Sequence, residues 1–401
     1  MFSLRVPLVV IAALLLTAAP GAVPAPREVR AMWVVRTTMT SPSAIATMIG
    51  QARSAGINTL LVQVRGRGDA YYRSRHEPRA RALAGQPESF DPLAVVLRDA
   101  HAAGLKVHAW VNVNLVADAT DLPENRRHVI YRHPNWLMVP ADLAGADPHD
   151  RAFLPALAGW TKTQAATVEG LYTSPLSEDA ADHVVDVVSE IASRYAVDGV
   201  HFDYIRYPGA GFDYSREALH AFRDEMAPRV TKKDRKTLDN LQRKKPLAWV
   251  DRFPERWTDY RRQRLTALLR RLRGAVLAKR PGAMVSAAVV PDAAVAVSSR
   301  LQDWPSWAAE GLLDTVCPMA YTQDLATFRK QIERVRTLAR GREVWAGIGA
   351  YRLTGQQTIQ HIAAARSLGA NGIVLFSYDS LTSLARGADN LVRIGQQAFV
   401  Q

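Results

Sequence analysis

From Arg30 onward, short β-branched and apolar runs alternate with longer amphipathic stretches. The first run is Ala31 to Arg36, and a helix follows at Ser41-Pro42, where a serine can cap the first free N–H groups and proline suits the first turn. The same alternation predicts strands at Asn58 to Arg65, Lys106 to Asn112, Asp198 to Asp203, Met284 to Val290, Asp314 to Tyr321, Glu343 to Gly349 and Gly372 to Tyr378. Turns containing Gly56, Gly104, Gly311 and Gly369 precede four of these runs, as expected where glycine takes the left-handed conformation that ends a helix.

Eight strand-helix units predict a parallel sheet closed on itself, a (β/α)8 TIM barrel over residues 26–401. An open doubly wound sheet would carry a glycine fingerprint after its first strand, and Trp33 to Thr40 contains no Gly. A barrel assembles its site at the C-terminal ends of its strands. Long insertions are expected there, from Leu115 to about Ser177 after the third strand and from Pro208 to about Pro254 after the fourth. Both leave the predicted catalytic face, so both are expected to wall a groove for an extended substrate.

The first residues read differently. Met1 to Arg5 carries one positive charge, Val6 to Ala19 is apolar, and Pro20 to Ala25 is small and Pro-rich, the three regions of a secretory signal peptide. The apolar run falls short of the roughly 20 residues that span a bilayer. Residues 1–25 are therefore expected to be removed on export, leaving a secreted or periplasmic protein without stable membrane insertion. The run does not end in Cys, which excludes lipoprotein attachment.

The chain's single Cys allows neither an internal disulfide nor a Cys-rich zinc site. There is no His-Glu-x-x-His, Gly-x-Ser-x-Gly, phosphate loop or spaced Cys/His cluster, so no metal or cofactor is expected. The net charge of +13 suits attraction to a polyanion, and Arg229 to Lys245 concentrates eight basic residues against two acidic ones. That run reads as a solvated helical hairpin, with an anionic cell-wall glycan the partner it would suit; export and the lack of a recognisable module argue against nucleic acid.

The informative segment is Asp198-Gly-Val-His-Phe-Asp203-Tyr-Ile-Arg206-Tyr-Pro208, where alternation puts His201 and Asp203 on one strand face. If that face points inward, Asp203 stands at the barrel mouth, where an acid must be paired or used. With Arg30-Ala-Met-Trp, Val62-Gln-Val-Arg65-Gly-Arg-Gly-Asp69-Ala-Tyr-Tyr, Val107-His-Ala-Trp110-Val-Asn112, Trp257 with Arg261 and Arg262, Pro318-Met-Ala-Tyr321 and Phe376-Ser-Tyr378, the chain resembles the family 10-like glycosyl hydrolases across nearly all of its mature length. The resemblance implies a secreted or envelope-bound barrel acting on glycans, with peptidoglycan strands a substrate known in the family. The segment also resembles chitinases of family 18, but His201 replaces one acid of their series and Ile205 falls where their catalytic Glu belongs.

Glycoside cleavage generally needs two carboxyl groups, one protonated and one ionised. Asp203 is expected to be the ionised one, its negative charge needed at the anomeric centre, and its partner the acid. Asp69, in a Gly-rich turn, is the first choice of partner, Asp292 the second, and Asp379 a third, each with the alternative role of capping the next helix. Arg65, Asn112, His201, Arg206, Tyr321 and Tyr378 are expected to bind substrate, the arginines by pairing with Asp203 or with a substrate carboxylate such as the lactyl acid of muramic acid. His108 and His201 are expected to form a hydrogen-bonded pair inside the barrel. The expected function is thus an exported glycoside hydrolase cleaving a polysaccharide, bacterial cell-wall peptidoglycan foremost. The rival is a catalytically inactive glycan-binding barrel.

Overall fold

The computed structural model describes residues 28–387 and 389–399, and the expected signal peptide lies outside them. The expected strands are all present: β1 (Val29–Val34), β2 (Thr59–Arg65), β3 (Lys106–Asn112), β4 (Gly199–Asp203), β5 (Met284–Val289), β6 (Thr315–Pro318), β7 (Glu343–Ile348) and β8 (Gly372–Phe376). Each pairs in parallel with the next, and β8 pairs with β1 to close the barrel. The sixth strand stops short of Tyr321, since beyond Pro318 only an isolated Met319–Gly347 bridge continues the ladder.

Around the barrel pack α1 (Pro42–Ser54), α2 (Pro92–Ala102), α3 (Glu178–Arg194), α4 (Pro254–Lys279), α5 (Trp304–Ala309), α6 (Leu325–Leu338), α7 (Gly355–Ser367) and α8 (Asn390–Ala398). Ser41, Asp91, Ser177, Asp303, Asp324 and Thr354 each accept a backbone N–H at a helix start, as such residues do at N-caps. Outward strand residues such as Val62, Val200, Phe202 and Val285 meet helical Ile45, Val187, Leu265 and Leu269 in the main apolar layer. Inward residues Ala31, Trp33, Leu61, Trp110, Cys317, Trp345 and Val374 fill the interior, so it is a packed core rather than a channel.

Alternation along β4 sends His201 into that interior, fully buried. Its Nε2 accepts from Trp33 Nε1 at 3.1 Å, which leaves Nδ1–H to donate to Ser286 Oγ at 2.9 Å. Burial pushes the imidazole down to about 3, so it stays neutral. The expected His108–His201 bond is therefore replaced by bonds to Trp33 and Ser286. His108 lies one inward position lower, against the Trp345 ring.

The two long connections do follow β3 and β4. The first contains an antiparallel pair, Leu115–Ala117 with Leu171–Tyr172, that the sequence pattern did not reveal. It has its own apolar cluster of Val116, Ile130, Trp136, Leu137, Phe153 and Leu157. The second carries helices at Arg216–Met226, Lys232–Gln242 and Ala248–Arg252, with the Lys232–Gln242 helix largely exposed as expected of the basic run. Buried Asp213 joins the insertions by accepting from Val139 N at 2.8 Å and Ser215 N at 2.9 Å. Among the described residues, no helix is long and apolar enough to cross a membrane.

Arg65 closes the last turn of β2. It is 1% exposed, forks onto Glu77 with contacts of 2.6 to 2.9 Å, and donates to the carbonyls of Asn112 and Val113. His183 of α3 reaches the same Glu77 at 3.3 Å. Burial pushes the Glu77 carboxyl upward, but Arg65 and His183 outweigh it and hold the group at about 2. Removing one partner strands a buried charge, so Glu77→Ala should cost roughly 3–5 kcal/mol in urea denaturation. A loss under about 1 kcal/mol would make the pair no stronger than a surface bridge. Because this carboxyl lies below its ordinary 4.5, its contribution is complete above that pH and fades as pH falls toward about 2; the Glu77→Ala protein should lack that share of acid sensitivity.

Candidate active site

The mouth is built on the end of β4. Asp203 is 6% exposed, and immediately after it Tyr204 takes a positive φ of 50°. A non-glycine residue is seldom held there without surrounding constraint. The constraint is visible: Val113 N donates to Asp203 O at 2.8 Å, and Asn114 N to Tyr204 O at 3.2 Å. This turn aims Tyr204 N back at Asp203 Oδ1, 2.7 Å away. Arg206 Nη1 donates to the same oxygen at 3.2 Å, and the guanidinium lies 4.1 Å from the centre of the Tyr204 ring.

The other arm of Arg206 finds an acid that sequence reasoning missed. Arg206 Nη2 lies 3.5 Å from Glu169 Oε1, Tyr172 OH donates to Glu169 Oε2 at 2.7 Å, and Arg300 Nη1 stands 3.8 Å from that oxygen. Glu169 comes from the first insertion, where the Leu115–Ala117 and Leu171–Tyr172 pairing folds it toward β4. Gly170 makes that approach possible, since its φ is +150° and a Cβ there would stand 2.1 Å from Ala117 O. Held on the two ends of one planar guanidinium, the carboxyls have facing oxygens at most about 9 Å apart, which does not exceed the roughly 9.5 Å upper limit for paired carboxyls of glycosidases.

Their environments drive them apart in acidity. Burial raises the Asp203 carboxyl, and Arg206 with the Tyr204 N–H only partly offsets it. Burial also opposes ionisation of Glu169, but Arg206, the Tyr172 hydroxyl and Arg300 outweigh it and leave the group lowered. Two neighbouring acids with opposite displacements can divide into a proton donor and an ionised partner.

Asp203 opens into a cavity of about 210 Å³ lined by Trp33, Arg36, Gln63, Arg67, Trp110, Tyr321 and Phe376 among others. Tyr321 stacks on Phe376 at 5.4 Å and meets the edge of Trp33 at 6.2 Å, so the wall is aromatic. Trp110, 3% exposed, has a buried indole N–H with no partner.

The other expected residues separate. Asp69 lies in an adjoining cavity of about 580 Å³, its Oδ1 accepting from Arg67 N at 3.0 Å. Asp292 caps the Ala293–Ser299 helix by accepting from Val295 N at 3.0 Å. Asp379 accepts from Val35 N and the Thr38 hydroxyl outside the cavity. Arg65, expected to bind substrate, is instead consumed by Glu77. Asn112 is fully buried beneath the mouth, bonded to Gly66 O and Gln63. His201 lies below Asp203 as interior support. Tyr378 turns outward, because its peptide begins a helix and its hydroxyl donates to Gln51 of α1 at 2.7 Å. Arg206 and Tyr321 stand with Asp203. Among the described residues, no group of three or more His, Cys, Asp or Glu is placed to hold a metal ion.

A family model described as glycosyl hydrolase-like 10 matches residues 28–361. The chain is 26% identical over 166 residues to glycosyl hydrolase YngK of Bacillus subtilis (strain 168), which is 40% of this chain and 27% of the relative. It is 29% identical over 171 residues to glycosyl hydrolase DigH of Escherichia coli (strain K12), 39% of this chain and 33% of the relative. These matches thus span about a quarter to a third of the curated relatives. The glycoside hydrolase domain of PgaB (BpsB) from Bordetella bronchiseptica superposes with a TM-score of 0.63 at 16% identity over 92% of this chain and 99% of that one. The β-galactosidase from Bacillus circulans sp. alkalophilus gives 0.62 at 12% identity over 93% and 56%. At such identities the two structures speak for the barrel fold alone.

Arg206 lowers the pKa of both acids, so Arg206→Gln should raise both by about one pH unit or more, read by carbon-13 NMR of the side-chain carboxyls. A Glu169 titration that the substitution leaves in place would break the proposed coupling.

Proposed function

The chain belongs to the glycosyl hydrolase-like 10 family, and on that footing we propose that it is an exported glycoside hydrolase cleaving O-glycosidic bonds of a polysaccharide, with bacterial peptidoglycan strands its substrate. The observation that carries the reading is the pair of carboxyls on Arg206, one raised and one lowered in pKa, of which Asp203 lines an aromatic cavity and Glu169 stands on the far side of the guanidinium.

In this reading the role expected of Asp203 is exchanged with its partner's: its carboxyl, raised by burial, is the one that gives a proton to the leaving glycosidic oxygen. The proton donor's role falls to the acid whose burial favours its neutral form. Glu169, held ionised, supports the positive charge that develops at the anomeric carbon and activates the incoming water or attacks directly. Arg206 fixes both and stays charged throughout. Trp33, Tyr321 and Phe376 offer the ring faces and edges against which a pyranose lies, and the free N–H of Trp110 can donate to a sugar oxygen. Export rests on the three-region pattern of residues 1–25, and the peptidoglycan assignment on the family resemblance together with the basic surface.

Asp203→Asn keeps the side chain's shape while removing the transferable proton, so reducing-end release from peptidoglycan stripped of its peptides should fall by roughly 10²–10⁴-fold with the melting temperature nearly unchanged. Glu169→Gln should lose activity on a similar scale. Near-native turnover in Asp203→Asn would overturn the assignment of the acid. Binding without any release by the unaltered protein, on stripped strands, intact sacculi and chitin alike, would make the barrel a glycan-binding protein.

A further inference from the structure

The arginines around the mouth differ in how much of their hydrogen-bonding capacity is spent. Arg65 is held by Glu77, Arg206 by Asp203 and Glu169, and Arg81 by Asp121 and Glu124 at 3.0 and 2.8 Å. Arg79 donates to the carbonyls of Phe90 and Pro87. Arg36 and Arg67 have no carboxylate within ion-pair distance among the described residues. Arg36 donates to Gln63 Oε1 at 3.0 Å and lies against the Tyr71 hydroxyl, while Arg67 reaches only Gly66 O at 3.2 Å and its Nε is buried without a partner.

These two arginines share a position. Both line the cavity that holds Asp203, and both line the adjoining cavity of about 580 Å³. The Arg36 side chain lies across Gly66, where a Cβ would stand 2.5 Å from Arg36 Cδ and push the arginine out of this position. The acids of the second cavity are already engaged. Asp69 accepts from Arg67 N, Asp118 from Thr120 N at 2.8 Å and its hydroxyl at 2.7 Å, and Asp121 and Glu124 hold Arg81. A cation that keeps unspent donors at the edge of a reaction cavity can bind an anion that the substrate brings, and a guanidinium fork matches a carboxylate in shape and hydrogen bonding.

We propose that Arg36 and Arg67 form a subsite for a carboxylate carried by the sugar next to the one over Asp203, so that the preferred substrate is an acidic glycan rather than a neutral one. This rests on the reading of the mouth as a glycan site and adds to it the charge of the neighbouring sugar. The carboxylate comes either from a lactyl ether, as on a muramyl residue, or from a hexuronic acid. Both present the same anion, on a longer or a shorter arm.

Binding to Asp203→Asn protein by calorimetry separates this proposal from turnover. Muramyl-containing oligosaccharides free of peptide should bind at least tenfold more tightly than the same oligosaccharides with their lactyl acids converted to amides, and than neutral N-acetylglucosamine oligomers of equal length. Arg67→Gln and Arg36→Gln should each reduce that preference about tenfold, as loss of a hydrogen bond to a charged group does, and Arg67→Lys should restore part of it. Polyuronate oligomers form the third arm: tighter binding than the muramyl series would assign the site to a ring carboxylate. Equal binding of acidic, amidated and neutral oligomers would overturn the subsite even if the enzyme cleaves all of them. Carboxylate-dependent binding without cleavage of any glycan would keep the subsite and remove the hydrolase reading.

Discussion

One buried guanidinium organises the barrel mouth. Arg206 lies between an acid that ends a barrel strand and an acid from an insertion, and the packing around it admits little water. A charge so placed must be matched, and the match here requires two separate segments to arrive together. The Leu115–Ala117 and Leu171–Tyr172 ribbon, the close approach at Gly170 and the strained Tyr204 turn all serve that meeting. The same cation divides the two carboxyls. It outweighs burial at partly exposed Glu169, where Arg300 helps, and fails to do so at deeper Asp203. A difference in depth thereby becomes a difference in acidity.

The barrel supplies the depth. Trp33, Trp110, Cys317 and Trp345 pack the interior below Asp203, and neutral His201 closes it with one bond to Trp33 and another to Ser286. A charged imidazole there would have lowered the Asp203 carboxyl. Its neutrality leaves Arg206 and the Tyr204 N–H as the principal groups opposing burial. The floor of the barrel thus tunes the acid above it without touching a substrate.

The strands and the inward placement of Asp203 were legible because both depend on local periodicity. Two-residue alternation settles which face His201 and Asp203 share, and glycine turns mark where helices hand over to strands. Arg206 and Tyr321 follow from their nearness to strand ends. Glu169 was not legible: its segment belongs to a connection with little periodicity, and its approach to Arg206 is set by a two-residue strand and Gly170. Arginine partners were equally hidden. Arg65 stands in the best-matching motif, yet Glu77 twelve residues on takes it, while Arg36 and Arg67 keep unspent donors because no acid among the described residues comes within ion-pair distance. Sequence alone places a cation at a strand end, and only the fold says whether an anion has already claimed it. Tyr378 missed the mouth for a similar reason, because the helix beginning at that residue turns it toward Gln51.

The pair on Arg206 also has a consequence for the bound state. On the proposed reading, a sugar entering the cavity would remove remaining water from Asp203 and add to the burial that already raises that carboxyl. Glu169 lies outside that cavity's lining, and two arginines and a tyrosine hydroxyl already hold it lowered against its own burial. On the proposed reading, drying that reaches Asp203 but not Glu169 would widen the difference between the two acids. A pair joined by hydrogen bonds directly to each other would behave otherwise, since drying such a pair drives the two to share one proton. Interposing a permanently charged guanidinium lets two acids stand close while their acidities are displaced in opposite directions, the division that proton donation on one side and charge support on the other would both require.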